Sequence, residues 1–285
     1  MDFADRVTAV FTTFNSAHVI GKALQSLPDG VRVIVVDNAS RDDTAEQAKR
    51  ARASVEVISL PKNVGFGRGC NVGLRLVETD YAVVINPDLF VGEDCLSVCV
   101  AAADAHPEVA LFGPREETGG RGDARITDVD YCEQVSGAFM FMRMSAFRTI
   151  GFFDENIFMY FEDNDLCLRT RDCGYRLARV LRAETQHIGA GSTQKNYDSA
   201  YEKSRLWGSA CAYFADKYKD SPEGKAAGRK LRHYYIKYYK NLVLDRHLAR
   251  IYAERIRGWK EYSSLGPGAM FDNTFVTPAN AKADA

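Results

Sequence analysis

The chain has 285 residues, of which 46% are hydrophobic and 26% are charged, and its formal net charge is −1. This composition is ordinary for a soluble globular protein that can bury a sizeable core without disulfide or metal staples. Seven cysteines with no CxxC pair argue against a zinc cluster or a disulfide framework, so we expect reduced thiols in a cytoplasmic protein.

Charge is unevenly distributed along the chain. Residues 201–285 hold 16 Lys and Arg against 9 Asp and Glu, whereas residues 1–200 hold 21 against 29. The excess of acidic residues over residues 1–200 argues against a nucleic-acid-binding protein that binds through its main domain. No segment is long and apolar enough to span a bilayer, and the N-terminus lacks the pattern of a signal peptide.

The front half alternates short apolar runs with helical patterns. Strands are predicted at Val7–Phe14, Val31–Val36, Val55–Leu60 and Tyr81–Ile85, with helical segments between them. This rhythm predicts an α/β fold with a mostly parallel sheet flanked by helices. Beyond residue 95 the regularity weakens. A strand is predicted at Val109–Phe112, a helix over Phe161–Cys173, and helical structure from Tyr201 onward.

Polar motifs stand at the ends of three predicted strands, which is where open α/β sheets bind ligands. They contain Thr13 and Asn15, then Asp37, then Asn86 and Asp88. A strand-end aspartate such as Asp37 can accept hydrogen bonds from a ribose hydroxyl or a base N–H. Taken alone, Asp37 is better explained as a helix cap or turn former.

A glycine-rich segment, Asn63-Val-Gly65-Phe-Gly-Arg68, follows the third strand and opens a helix. Main-chain amides at a helix start, together with Arg68, suit an anionic group. The spacing matches neither a Walker motif nor a dinucleotide fingerprint, so the segment alone is weak evidence.

Two residues are candidate ligands of a hard divalent cation. The carboxylate of Asp88 suits Mg²⁺ or Mn²⁺, which often share their oxygen ligands with a diphosphate. His187 is the second candidate. The alternatives are an ordinary Asn-Pro-Asp turn at residues 86–88 and a structural histidine at 187.

The densest signal is Phe158-Met-Tyr-Phe-Glu162-Asp163, in which acidic residues crowd a predicted helix start after an aromatic run. Negative charge at a helix N-terminus is favoured by the helix dipole, which is the structural explanation. The aromatic run indicates a partly enclosed site, where a carboxylate can act as a general base.

In this order, these segments resemble the family-2 glycosyltransferases with the GT-A fold, most closely their rhamnosyltransferase-like members. The likeness covers roughly residues 5–195. Further blocks that carry it are Ser136-Gly-Ala-Phe, Gly151-Phe-Phe-Asp-Glu and Asp163-Asn-Asp-Leu-Cys-Leu-Arg.

The resemblance implies roles for individual residues. Asp37 would hold the nucleoside, and Asp88 would stand at the last position of the family's DxD metal motif. Asn86 replaces the first aspartate of that motif, which puts two-carboxylate metal binding in doubt. Asp163 would be the catalytic base beside Glu162, and His187 would help hold the metal or the diphosphate.

The resemblance also implies a GT-A catalytic domain over residues 1–200, a helical extension over 201–272 and a disordered tail over 273–285. The expected activity is inverting transfer of a sugar to a glycan or lipid-linked glycan, assisted by Mg²⁺ or Mn²⁺. Rhamnose or a related deoxysugar on a dTDP donor is favoured, with UDP-hexose or UDP-N-acetylhexosamine as the alternative. A homo-oligomer is left open, and no nucleic-acid partner is expected.

Three other classes of protein compete with a glycosyltransferase. A nucleotidyltransferase would need a basic glycine-rich loop after the first strand, and an oxidoreductase would need GxGxxG there. A non-catalytic nucleotide-sugar-binding protein would not need a base. For the basic, tyrosine-rich tail, peripheral contact with the inner face of an anionic membrane competes with simple packing against protein, which is somewhat favoured.

Overall fold

The computed structural model describes residues 6–115, 125–187 and 197–266, with the main chain alone at residues 187 and 197–199. The chain divides into two compact units. One comprises Met1–Asp154 with Glu162–Gln194, and the other comprises Glu155–Phe161 with Lys195–Ala285. The domain limits expected from the sequence stay a prediction, and the tail 273–285 lies outside the described residues.

The first unit is built on an eight-stranded mixed sheet. In sheet order its strands are β3 (Glu56–Ser59), β2 (Arg32–Asp37), β1 (Val7–Thr13), β4 (Tyr81–Ile85), β8 (Phe139–Arg143), β6 (Val109–Pro114), β9 (Arg176–Val180) and β7 (Val129–Cys132). The four strands β1 to β4 run parallel, whereas β8 is antiparallel to both β4 and β6. The predicted α/β architecture with a mostly parallel sheet is confirmed.

Apolar side chains on both faces of the sheet form the core of this unit. Every residue of β1 and of β4 is buried, as expected for parallel strands covered by helices on both sides. Its helices are α1 (Ile20–Gln25), α2 (Thr44–Ala51), α3 (Phe66–Leu74), α4 (Cys95–Ala105), α5 (Met144–Ile150) and α6 (Glu162–Asp172).

Helix α3 packs against the sheet at very short range. A Cβ atom added to Gly69 would lie 2.5 Å from Thr12 Cγ2, and one added to Gly73 would lie 2.5 Å from Val10 Cγ1. Residues four apart share one helix face, so these two glycines form the surface that contacts β1.

A separate two-stranded sheet pairs β5 (Leu89–Val91) with β10 (Thr185–His187). The strands are antiparallel, and His187 is in register with Leu89. This pairing brings the main chain of His187 beside the residue that follows Asp88.

The second unit contains three long helices, α7 (Tyr197–Lys217), α8 (Pro222–Leu244) and α9 (Arg246–Leu265). The α7–α9 contact is close because Gly208 and Gly258 lie in it. An added Cβ would lie 2.0 Å from the carbonyl oxygen of Arg255 at Gly208, and 2.0 Å from that of Arg205 at Gly258. Among the described residues, no helix has the length and hydropathy needed to cross a membrane.

The segment that precedes α6 belongs to this second unit and has an unusual backbone. Tyr160 and Phe161 both adopt left-handed conformations, with φ of 71° and 66°, which is unfavourable for bulky side chains. The Phe161 ring packs against Trp207 and Phe214 of α7, with centroid distances of 5.2 and 5.4 Å. These ring contacts stabilise the strained turn.

Candidate active site

The carboxyl ends of β1 and β2 lie side by side, with Thr13 in register with Asp37. Thr13 is fully buried, and its hydroxyl donates to the carbonyl of Val36 at 3.5 Å. Oδ1 of Asp37 accepts a hydrogen bond from the Ser40 N–H at 3.2 Å. Thr13 therefore supports the strand ends from within, and Asp37 stabilises the turn after β2.

Asn15 joins the loop after β1 to the turn after β2. Its side-chain oxygen accepts a hydrogen bond from the Arg41 N–H at 2.8 Å, and its own N–H donates to Ser40 Oγ at 2.9 Å. Its φ of 52° is left-handed, a conformation that asparagine tolerates well. The two loops are thereby fixed to each other.

Asn38 connects this edge to the glycine-rich segment, a role that the sequence analysis missed. It is buried, its Nδ2 donates to the carbonyl of Gly65 at 3.0 Å, and its Oδ1 accepts from the Val64 N–H at 2.8 Å. Asn38 stands directly after Asp37 at a strand end, a position from which this contact could have been proposed.

The glycine-rich segment combines a local turn with close packing. Oδ1 of Asn63 accepts a hydrogen bond from the Gly65 N–H at 2.9 Å, so this amide is already engaged within the loop. An added Cβ at Gly67 would lie 2.9 Å from Phe153 Cβ. Arg68 is half-buried in the first turn of α3. The visible reason for a glycine at position 67 is this close approach.

The turn after β4 leads from Asn86 to Asp88. The Leu89 N–H donates to the Asn86 carbonyl at 3.1 Å, which closes a turn over residues 86–89. The Asn86 N–H donates to the carbonyl of Ala138 at 2.9 Å, at the entrance of β8. Asp88 is only 4% exposed, so its carboxylate is almost enclosed at this edge of the sheet.

Asp163 reaches the same edge from the first turn of α6. Its Oδ2 accepts a hydrogen bond from the Gly137 N–H at 3.2 Å, and its Oδ1 accepts from the Asn164 N–H at 2.8 Å. The Asn86 N–H bonds to Ala138, and the preceding residue, Gly137, bonds to Asp163. The turn of Asp88 and the carboxylate of Asp163, 75 positions further along the chain, are thus linked through residues 137 and 138 of the main chain that leads into β8.

The environment of Asp163 makes its carboxylate more basic. Burial raises the pKa of this carboxyl above its ordinary value, and the hydrogen bonds from Gly137 and Asn164 oppose part of that shift. Burial disfavours the charged form of an acid, whereas N–H donors stabilise it. A raised pKa suits a group that must take up a proton near neutral pH.

Glu162 points away from Asp163, although the two are adjacent. It is buried at the start of α6, and its Cβ would lie 3.7 Å from a Cβ added to Gly67. Burial raises the pKa of the Cys70 thiol on α3 to about 12, and the negative charge of Glu162 adds to that shift. Glu162 therefore faces α3, and Asp163 faces the Gly137 loop.

Buried polar contacts anchor the segment before α6. These contacts are not predicted from the sequence. Asn71 of α3 pairs with the main chain of Phe153 in both directions, at 2.9 and 3.0 Å. Arg169 of α6 forms an ion pair with the fully buried Asp165 at 2.8 Å and donates to the carbonyls of Ile150 and Phe152. These contacts fix where α6 begins.

The side chains that could ligate a divalent cation are few at this site. Among the described side chains, no group of three His, Cys, Asp or Glu could hold a metal ion. Mg²⁺ bound together with substrate phosphates uses only one or two protein carboxylates. Asp88 offers one carboxylate, and the main chain of His187 pairs with Leu89, the residue that follows Asp88. This set fits a cation shared with a diphosphate, and does not form an all-protein cage.

Comparison with known proteins identifies the family. Residues 8–169 match the model of the family described as "Glycosyl transferase family 2". The chain belongs to glycosyl transferase family 2. An N-acetylglucosaminyl-diphospho-decaprenol L-rhamnosyltransferase of Mycobacterium tuberculosis is 27% identical over 213 residues, which cover 58% of this chain and 69% of that relative. The chain is therefore a glycosyltransferase, and the resemblance noted in its motifs is confirmed.

Solved structures of the same fold extend this comparison. S. aureus TarS 1-349, in complex with UDP, matches with a TM-score of 0.54 and 17% identity over 92% of both chains. The mannosyltransferase PcManGT of Pyrobaculum calidifontis, in complex with GDP-Man and Mn²⁺, matches with a TM-score of 0.57 and 15% identity over 90% of this chain and 86% of its own. At these identities the likeness shows the fold, and the GT-A fold of this family-2 member is confirmed.

Proposed function

We propose that this glycosyltransferase moves a sugar from a nucleotide diphosphate to a hydroxyl of a glycan or lipid-linked glycan, with inversion at the anomeric carbon. The proposal depends on one observation: the turn that carries Asp88 bonds to Ala138, and the neighbouring Gly137 bonds to the carboxylate of Asp163. One acid at the leaving diphosphate and one at the acceptor hydroxyl are what a single displacement requires.

Asp163 is proposed as the general base. It takes the proton of the acceptor hydroxyl while that oxygen forms a bond to the anomeric carbon and the bond from this carbon to the diphosphate oxygen breaks. The Gly137 and Asn164 amides hold the carboxylate in place, and a carboxylate retains lone pairs for a further hydrogen bond. Glu162, which faces α3, is better suited to supporting this turn than to proton transfer.

Asp88 and His187 are proposed to hold a divalent cation, Mg²⁺ or Mn²⁺, which would neutralise charge on the departing diphosphate. Asn86 then acts as a hydrogen-bonding group where the family's metal motif has its first aspartate. The pairing of His187 with Leu89, the residue that follows Asp88, supports this role.

The nucleoside is proposed to bind at the ends of β1 and β2. Asp37 would accept hydrogen bonds from the ribose or the base, while Thr13, Asn15 and Asn63 keep the surrounding loops in position. Arg68 would approach the diphosphate from the first turn of α3. The Asn38 contacts support this arrangement, because they fix the glycine-rich loop beside Asp37.

The favoured donor is a dTDP-linked rhamnose or a related deoxysugar. The L-rhamnosyltransferase activity in the name of the mycobacterial relative supports this choice. UDP-hexose or UDP-N-acetylhexosamine is the alternative, because one framework can serve many donors.

A donor panel tests the proposal. The full chain is mixed with dTDP-rhamnose, UDP-glucose, UDP-N-acetylglucosamine and GDP-mannose, with Mn²⁺ or with chelator, and thermal shift identifies the donor that binds. That donor is then incubated with glycan and lipid-linked acceptors, and the anomeric configuration of the product is read by NMR. Inversion is expected. A retained configuration refutes single displacement, and a donor that binds but never turns over favours the non-catalytic alternative.

A further inference from the structure

Large apolar side chains are exposed where α8 ends and α9 begins. Val243 is 90% exposed, Leu244 is 68% exposed and Ile236 is 56% exposed. We call this surface the corner patch, and its members are Ile236, Tyr239, Leu242, Val243, Leu244 and Leu248. Isolated exposed apolar residues are normal, whereas a cluster of this kind marks an interaction surface.

The patch continues an exposed face of α8. Ile236, Tyr239 and Val243 are spaced by three and four residues and so share one side of the helix. Toward the N-terminus the same side carries the exposed Arg229 and Arg232. One face of α8 therefore changes from basic to apolar as it approaches the corner.

The surrounding charge is strongly one-sided. Residues 225–250 contain eight Lys and Arg and a single acid, Asp245. The carboxylate of Asp245 accepts hydrogen bonds from the His247 and Leu248 amides at 2.9 and 3.0 Å, so it caps α9. Lys240 and Arg246 are exposed on either side of the apolar tip.

Other cations of this unit are engaged internally. Lys230 lies 4.8 Å from the Phe161 ring centroid, and Arg250 lies 4.1 Å from that of Tyr201. Tyr234 is buried and accepts a hydrogen bond from Trp207 Nε1 at 2.8 Å. Part of the tyrosine-rich tail therefore packs on protein, whereas the side chains of the corner patch are exposed.

We propose that the corner patch docks on an anionic lipid bilayer. Its apolar side chains would enter the interfacial layer, while Lys240, Arg246 and the basic face of α8 contact acidic headgroups. A second copy of the chain fits less well, because a two-fold contact through this patch would bring two such basic segments together. The proposal concerns binding and does not depend on the transfer reaction.

Vesicle flotation of the full chain tests the apolar half. The probes are vesicles of phosphatidylcholine alone and of equal parts phosphatidylcholine and phosphatidylglycerol, and binding only to the second is expected. The double variant V243E/L244E should lose that binding. The matched control is L265E, which changes a 57% exposed leucine of the same helical unit at roughly 30 Å from the corner along α9. It should bind like wild type.

A second variant tests the basic residues of the proposed docking surface. Replacing Lys240 and Arg246 with Gln should weaken binding to the anionic vesicles roughly 25-fold, at about fivefold for each basic residue near the surface. Equal binding to both kinds of vesicle, or unchanged binding of V243E/L244E, overturns the proposal. So does a wild-type dimer, seen by light scattering, that V243E/L244E converts to a monomer while no vesicle binds. Donor-induced thermal shift of V243E/L244E should match wild type, which separates docking from the proposed transferase function.

Discussion

The main-chain N–H of Gly137 donates a hydrogen bond to Oδ2 of Asp163 over 3.2 Å. Gly137 lies just before β8, and Asp163 lies in the first turn of α6, so this bond joins the sheet edge to the helix start. A Cβ added to Gly137 would lie 3.5 Å from Asp163 Cβ. This distance is an ordinary van der Waals contact, so a side chain at position 137 would pack directly against Asp163.

Replacing Asp163 with Asn should lower kcat by about 10²- to 10⁴-fold, the usual range for a general base. Donor affinity should stay near wild type, because the base acts on the acceptor. Initial-rate assays and calorimetry with the donor measure the two quantities. The control is Asp172→Asn, an exposed position on the same helix, which should leave both unchanged. Near-normal turnover of Asp163→Asn would remove this residue from the mechanism.

The pH dependence of kcat should reflect the raised pKa of Asp163. Burial holds the proton on this carboxyl at higher pH than the ordinary 3.8, so kcat should fall as the pH drops through that raised value. The same shift affects stability with a defined sign. The contribution of this group to folding is complete below its unfolded pKa and is lost as the pH rises through the folded pKa. A kcat profile whose acidic limb lies at or below 3.8 would contradict this account.

Replacing Asp88 with Asn should weaken the metal-dependent part of donor binding. We expect kcat/KM to fall roughly 100-fold or more, because a metal that stabilises the leaving group is worth several kcal/mol. Calorimetric titration of the donor with Mn²⁺ and with chelator makes the comparison. The control is Asp94→Asn, at an exposed position six residues further along the chain. If Asp88→Asn keeps the full response to Mn²⁺, the proposed role is wrong.

The parallel half of the sheet was predictable because its strands are buried on both faces. Continuous apolar runs such as Arg32–Asp37 and Tyr81–Ile85 leave few alternatives. The edge strand Val129–Cys132 was missed because its pattern of half-buried and exposed residues resembles a loop. Leu89–Val91 was missed because it has three residues, and its partner lies far along the chain. Long-range pairing of short strands leaves little local signal.

The candidate site divides in a similar way. Asp37, Asp88 and Asp163 stand in motifs that single them out. The contacts that Asn71 and Arg169 make with the carbonyls of Phe153 and Ile150 could not be predicted, because main-chain groups have no identity in a sequence. The opposite directions of Glu162 and Asp163 also depend on tertiary packing at the start of α6, which two adjacent letters cannot reveal.

The Asn71 contact should matter for stability. Replacing Asn71 with Ala leaves the buried N–H and carbonyl of Phe153 without these bonds, which should cost about 3 kcal/mol of unfolding free energy. Chemical denaturation measures this loss. Asn241→Ala, whose side chain donates to the Lys237 carbonyl one turn earlier in α8, serves as the control and should change stability by less than about 0.5 kcal/mol. Equal effects of the two substitutions would show that the Asn71 pair is dispensable.

Replacing two helical glycines of the second unit with alanine, one at a time, should change stability in opposite directions. Gly258→Ala would put a Cβ atom 2.0 Å from the Arg205 carbonyl oxygen, so α7 and α9 must separate. This should destabilise the unit by about 3 kcal/mol. At Gly228, an added Cβ would meet no described atom within 4 Å apart from its chain neighbours and the adjacent backbone of α8, so Gly228→Ala should stabilise this helix by about 1 kcal/mol, because alanine favours helix. Thermal melts of both variants decide, and a tolerated Gly258→Ala would contradict the close packing.

The left-handed pair Tyr160 and Phe161 has a consequence for any attempt to shorten the enzyme. Each such bulky residue costs on the order of 1 kcal/mol or more, and the rings of Trp207 and Phe214 hold Phe161 in place. A truncation that ends before α7 would keep the whole sheet edge and remove those rings. We expect the turn to relax toward ordinary backbone geometry in such a truncated chain, two residues before Asp163, the proposed base. The aromatic side chains of α7 therefore maintain the left-handed conformation that Phe161 adopts within the second unit.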